Sequence, residues 1–119
     1  ETSLAIKNIK QIMKVGKNFL IDRGDLSKEI SLKNIPIVQR KICELGKKNN
    51  NNIFVATNFL ESMVENSYPT TGEVNDIYTT LKMDTKGLVL AAETAIGKYP
   101  IECVKYLTEF VKFYKKMKN

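Results

Sequence analysis

Three short apolar runs set between longer amphipathic stretches constrain this chain more than any other feature. Phe19-Leu20-Ile21, Ile53-Phe54-Val55-Ala56 and Leu88-Val89-Leu90 lack the alternation of a half-solvated strand, so each reads as a strand covered on both faces. Around them apolar residues recur at helical spacing. Leu4, Ala5, Ile9, Ile12 and Met13 trace one helix, with Thr2 or Ser3 as cap and Gly16 as stop. Leu32, Ile35, Val38, Ile42 and Leu45 trace a second from Ser31 to about Lys48, with Pro36 tolerated near its start. Further helices are expected over 58–65, 73–83 and beyond Pro100, the last with Ile101, Val104, Leu107, Val111 and Tyr114 on one side. The four asparagines at 49–52 read as a solvated turn, Asp22-Arg23-Gly24-Asp25 as a polar turn, and 68–72 as a loop.

Helices and strands therefore alternate, which predicts an α/β fold of parallel strands joined by right-handed crossovers. A length of 119 residues suffices for one domain. Three strands with open edges make a poor independent sheet, so pairing with further strands or with a second copy is expected. The first residue is Glu1 rather than methionine and a helical pattern begins at once, which suggests a fragment or processed chain.

The composition removes whole classes of chemistry. With no histidine, there is no imidazole for general acid/base work, for activating a serine or cysteine, or for a zinc site that needs it. The net charge of +6 is almost all lysine, because Arg23 and Arg40 are the only arginines. Residues 98–119 carry six lysines against two glutamates, which would attract phosphates without sequence specificity. A solvated helix face explains that lysine excess more simply, so no nucleic-acid partner is expected. Cys43 and Cys103 lie in helical patterns and read as small packing side chains in a reducing, cytoplasmic compartment. No apolar stretch of about 20 residues is present, so no membrane partner is expected.

The polar residues that could carry chemistry follow the strands: Asp22 to Asp25 after the first, Thr57-Asn58 after the second, Glu93-Thr94 after the third. In α/β folds that edge collects active-site residues on rigid supports. Glu1 would follow a preceding strand and reach the same edge as Asp25, and two carboxylates there suit Mg²⁺ or Mn²⁺. The plainer reading makes Gly24-Asp25 a turn with an Asp cap, Thr57 a helix cap and Glu93 a solvated carboxylate.

The stretches Arg23-Gly24-Asp25-Leu26 with Glu29-Ile30, Ala56-Thr57 with Leu60-Glu61-Ser62-Met63, Pro69-Thr70 with Glu73, and Glu93-Thr94-Ala95 with Gly97 and Tyr99-Pro100 resemble the consecutive signatures of pyruvate kinase. The resemblance implies that the chain is a partial catalytic barrel domain spanning 1–119, its strands similar to the sixth to eighth of a TIM (β/α)₈ barrel. It implies that Glu1 and Asp25 hold Mg²⁺ or Mn²⁺, that the Gly24 and Asp25 amides and Thr57 face phosphoenolpyruvate or pyruvate, and that Thr57 is catalytic. The metal would polarise the enolate oxygen and neutralise charge on the phosphoryl group passed to ADP to give ATP in glycolysis. The family's catalytic lysine lies two residues before the glutamate matched by Glu1. That lysine, the potassium ligands, the lid and the regulatory domain all map outside these residues, so the isolated chain is expected to be inactive. Ala91-Ala92 stand where the family has Ser-Gly, Asn58 where it has glutamine, Thr71 where it has arginine and Ile96 where it has lysine. Those departures leave room for a degenerate relative that keeps the fold as a scaffold or a regulatory ligand binder.

Overall fold

The computed structural model describes residues 2–118, with side chains from residue 7; Glu1 and the capping side chains expected at Thr2 or Ser3 lie outside the described residues. The elements run α1 (Thr2–Val15), β1 (Asn18–Asp22), α2 (Arg23–Glu29), α3 (Ile35–Lys48), β2 (Asn52–Ala56), α4 (Thr71–Lys82), β3 (Gly87–Val89), α5 (Ala92–Ala95) and α6 (Pro100–Lys118). Short 3₁₀ turns at Leu32–Asn34 and Glu61–Val64 precede α3 and α4. The strands form a parallel sheet in the order β1-β2-β3. Asp22 pairs with Ala56, and Ala56 with Val89, so all three strands end level. That register brings the residues after β1 and β2 to one edge.

Several expectations change in the structure. Arg23 to Asp25 are the first turn of α2 rather than a polar turn, because the Asp22 carboxylate accepts the Asp25 amide proton at 3.2 Å and starts a helix. The expected helix over 58–65 is reduced to a 3₁₀ turn, since Asn58 has a positive φ of 66° that no right-handed helix accommodates. The third strand, expected over 86–91, shrinks to Gly87–Val89, and Ala92–Ala95 form a short helix. Of the strands, β2 is the covered one; Leu20 on β1 is 56% exposed.

The chain divides into two compact units. The first comprises the segment up to Thr57 together with Thr80–Val89. Its core gathers Met13 from α1, Val38, Ile42 and Cys43 from α3, and Ile53 and Val55 from β2. Burial pushes the Cys43 thiol up to about 11, which fits a packing role rather than a reactive thiolate. The asparagine run is more than a solvated turn. Asn51 donates its side-chain amide to the carbonyls of Met13 and Gly16 at 3.1 and 2.9 Å, closing the end of α1, while Asn50 takes the left-handed conformation.

The second unit comprises Asn58–Thr79 and Leu90–Asn119, with Phe59, Leu60, Met63, Ile77 and Cys103 buried. Helix α6 packs through Cys103 and the half-buried Leu107, Val111 and Tyr114, and Tyr114 meets Tyr78 edge-on at 5.7 Å. The expected apolar stripe is rotated by part of a turn at its start, where Ile101 and Val104 are exposed. Lys105, Lys112, Lys115 and Lys116 are exposed as the solvated-face reading expects.

Gly46 shows how closely the first unit is packed. A β-carbon there would sit 2.5 Å from Ile53 Cγ1 and 2.8 Å from its Cδ1. Gly46→Ala gains helix propensity worth about 1 kcal/mol but forces a clash worth more, so a net loss of about 1–2 kcal/mol is expected. Urea denaturation of the two proteins measures it; an unchanged or raised midpoint overturns the steric argument.

Candidate functional site at the ends of β1 and β2

The level ends of β1 and β2 place Gly24 beside Thr57, although 33 residues separate them. The Gly24 amide donates to Thr57 Oγ1 at 2.9 Å, and the same hydroxyl donates to the Ala56 carbonyl at 2.6 Å. Thr57 has φ 74° and Asn58 φ 66°. For a β-branched residue that conformation is an outlier costing on the order of 1–3 kcal/mol, whereas asparagine tolerates it. Arg23 offsets the strain by directing Nε and Nη2 at the Thr57 carbonyl, at 3.1 and 2.6 Å. Hydrogen bonds to a charged donor are worth about 1.5–3 kcal/mol each, enough to hold the turn.

The structure thus brings together three of the four residues singled out in the sequence: Gly24, Asp25 and Thr57. Glu1 lies outside the described residues. The amides of Gly24 and Asp25 are already engaged, by Thr57 and by Asp22, so a ligand reaching them exchanges with an internal partner. The Asp25 carboxylate is exposed, with Lys28 3.9 Å away in a solvent-facing pair of little energetic weight. Among the described residues no three His, Cys, Asp or Glu side chains converge as a metal cage. Asp25 is one hard oxygen donor of the right kind for Mg²⁺ or Mn²⁺.

Sequence reasoning overlooked Arg23 as an anchor and Asp22 as a cap. The pattern Asp22-x-x-Asp25 carried the cap signal, while nothing local to Arg23 revealed its carbonyl partner 34 residues away. Thr57 is not a helix cap, because no regular helix follows it.

In the second unit two carboxylates organise backbone amides. Glu93, expected as solvated in the plainer reading, is 2% exposed and accepts from the Leu60 amide at 3.0 Å and the Ala91 amide at 2.6 Å. Glu73 accepts from Ser62 N at 2.7 Å, Ser62 Oγ at 2.5 Å and Thr70 N at 3.0 Å, while its own amide donates to Thr70 Oγ1. This is a capping box at the start of α4 extended to a second segment.

The fold is an α/β arrangement of parallel strands similar to the barrel domain of pyruvate kinases. A family model of the pyruvate kinase barrel domain matches residues 1–104, and this chain belongs to that family. The pyruvate kinase of Thermotoga maritima is 42% identical over 112 residues, which cover 94% of this chain and 24% of that protein. That of Methanocaldococcus jannaschii is 40% identical, covering 94% of this chain and 25% of its own length. The crystal structure of pyruvate kinase from Pyrobaculum aerophilum superposes with a TM-score of 0.87 at 37% identity, over 91% of this chain and 26% of that one. The chain spans about a quarter of the length of the curated relatives it matches.

The Glu73 box generates a prediction for acid stability. Burial acts to raise the Glu73 carboxyl, but the hydrogen bonds from Ser62 and Thr70 outweigh it and hold the group below its ordinary 4.5. A depressed carboxyl stabilises the fold above the unfolded value and loses that contribution as pH falls below about 4.5 through the folded value. Glu73→Gln is expected to cost about 1 kcal/mol at pH 7, with the gap closing in acid. Urea titrations across pH 3–7 test this; a gap that persists at the acid end contradicts it.

Proposed function

We propose that these residues form the sixth to eighth strands, with their helices, of the catalytic barrel of an enzyme that transfers phosphate from phosphoenolpyruvate to ADP in cytoplasmic glycolysis. One observation carries the reading: Gly24 and Thr57, far apart in sequence, meet at the strand ends beside an exposed Asp25. Family membership and the identity to named pyruvate kinases support it.

In this reading the carboxylate of phosphoenolpyruvate takes the Gly24 and Asp25 amides from Thr57 and Asp22, freeing the Thr57 hydroxyl toward the substrate. Asp25, with Glu1, holds Mg²⁺ or Mn²⁺, which when bound supplies charge neutralisation for the phosphoryl and enolate oxygens. K⁺ ligands and the catalytic lysine belong to other parts of the barrel, so the 119 residues alone are not expected to turn over substrate. Ala91 offers no hydroxyl for proton delivery, which leaves water to supply that proton.

The open side of β1 fits the partial-barrel reading. Ile12, Met13, Leu20, Ile21, Leu26 and Ile42 contribute to an apolar cleft of about 440 Å³ along that strand. Further barrel strands would cover it, and in their absence a second copy does. Sedimentation of the isolated chain is expected to show dimers or larger species; a stable monomer at micromolar concentration argues against this.

Mn²⁺ relaxation titration tests the site itself. Asp25→Ala is expected to weaken Mn²⁺ binding at least about tenfold, and phosphoenolpyruvate to strengthen binding in the unaltered chain. Equal Mn²⁺ binding by the two proteins would sink the assignment of Asp25.

A further inference from the structure

We infer that Arg23 is a positioning residue, holding Thr57 and Asn58 in consecutive left-handed conformations so that the Thr57 hydroxyl stays against the Gly24 amide. Three observations converge on it. Both Nε and Nη2 of the guanidinium donate to one acceptor, the Thr57 carbonyl, at 3.1 and 2.6 Å. That carbonyl belongs to a residue whose φ of 74° threonine rarely adopts, followed by Asn58 at φ 66°. Arg23 is also the residue directly before Gly24, whose amide meets the Thr57 hydroxyl at 2.9 Å. One short segment therefore grips Thr57 twice, by its carbonyl and by its hydroxyl.

The geometry explains why the grip needs a guanidinium. Released from Arg23, Thr57 relaxes toward the extended conformation that β-branched residues prefer, and its side chain swings away from Gly24. A lysine brings a single charged centre on a flexible stem and reproduces the two-pronged contact only in part. Asparagine at 58 fits the same device, because it accepts the left-handed region that a longer amide side chain resists.

Through this contact Arg23 acts on substrate only by way of Thr57, and that functional consequence rests on the reading of Thr57 as a substrate contact. Two experiments keep the parts separate. In the unliganded chain, nuclear magnetic resonance reports a positive φ as a strong contact between each residue's own amide and α protons. Arg23→Ala is expected to abolish that signature at Thr57 and Asn58 while the β1–β2 cross-strand contacts persist; Arg23→Lys keeps it in part, and guanidinium ion added to Arg23→Ala restores it. A left-handed Thr57 that survives in Arg23→Ala overturns the inference. If Arg23→Ala also loses the cross-strand contacts, the comparison of Arg23→Lys with the unaltered chain decides, and identical signatures there overturn it.

The second experiment measures kcat and KM for phosphoenolpyruvate in the complete enzyme that contains these residues. Arg23→Lys is expected to lower kcat/KM about tenfold or more, as misplacement of a substrate contact does. In a Thr57→Ala background the same substitution has no added effect, since the group it positions is gone. Full additivity overturns action through Thr57. An unchanged kcat/KM in Thr57→Ala itself refutes the substrate reading of Thr57 and leaves the resonance result to decide the role of Arg23.

Discussion

The bond between the Gly24 amide and the Thr57 hydroxyl ties the two ends of the parallel pair β1 and β2 into one site. It depends on register, because Asp22 opposite Ala56 makes the next residues of both strands emerge level. A shift of one residue would turn every side chain to the other face and separate the two groups. It also depends on strain, because Thr57 reaches Gly24 only in a left-handed conformation that Arg23 maintains. Site and sheet are therefore one construction. The apolar pairing of β1 with β2 stabilises the register, and the register delivers the polar groups.

Away from that pair, the chain manages polar backbone with buried or half-buried carboxylates instead of regular structure. Glu93 and Glu73 between them accept from the amides of Leu60, Ser62, Thr70 and Ala91, all in segments with little helix or strand of their own. Each amide left unpaired in such a place would cost about 1–3 kcal/mol, so two carboxylates stand in for a missing ladder. The same logic explains Asn51, whose side chain closes α1 from across the first unit. Glu93 and Asn51 read as surface residues in sequence because Leu60, Met13 and Gly16, which they hold, lie more than 30 residues away.

Family signatures and local pattern account for different parts of what was legible. Alternation of apolar runs with helical spacing was sufficient for a parallel α/β fold, and α1, α3, α4 and α6 lie close to where their periodicity puts them. The error over 58–65 came from apolar residues at helical spacing: Phe59, Leu60 and Met63 are buried, yet through a 3₁₀ turn anchored by Glu93 and Glu73. The rotated stripe of α6 has a similar origin. Periodicity identifies a helix, but which of two adjacent apolar edges packs is settled by neighbours such as Tyr78.

By itself the sequence determined the alternation of three strands with the longer helices, strand direction, the absence of imidazole chemistry and, through its signatures, membership of the pyruvate kinase family. Those properties depend on residue type and on spacings of three to four along the chain, which a linear string records. Only the tertiary structure decided that Gly24 and Thr57 bond, that Arg23 grips the Thr57 carbonyl and that Glu93 is buried. Each of these contacts joins groups more than 30 residues apart or depends on a backbone conformation that side-chain identity alone does not select. Such contacts exist once the sheet has set its register, because only then are the partners close enough for a hydrogen bond to outweigh strain and desolvation.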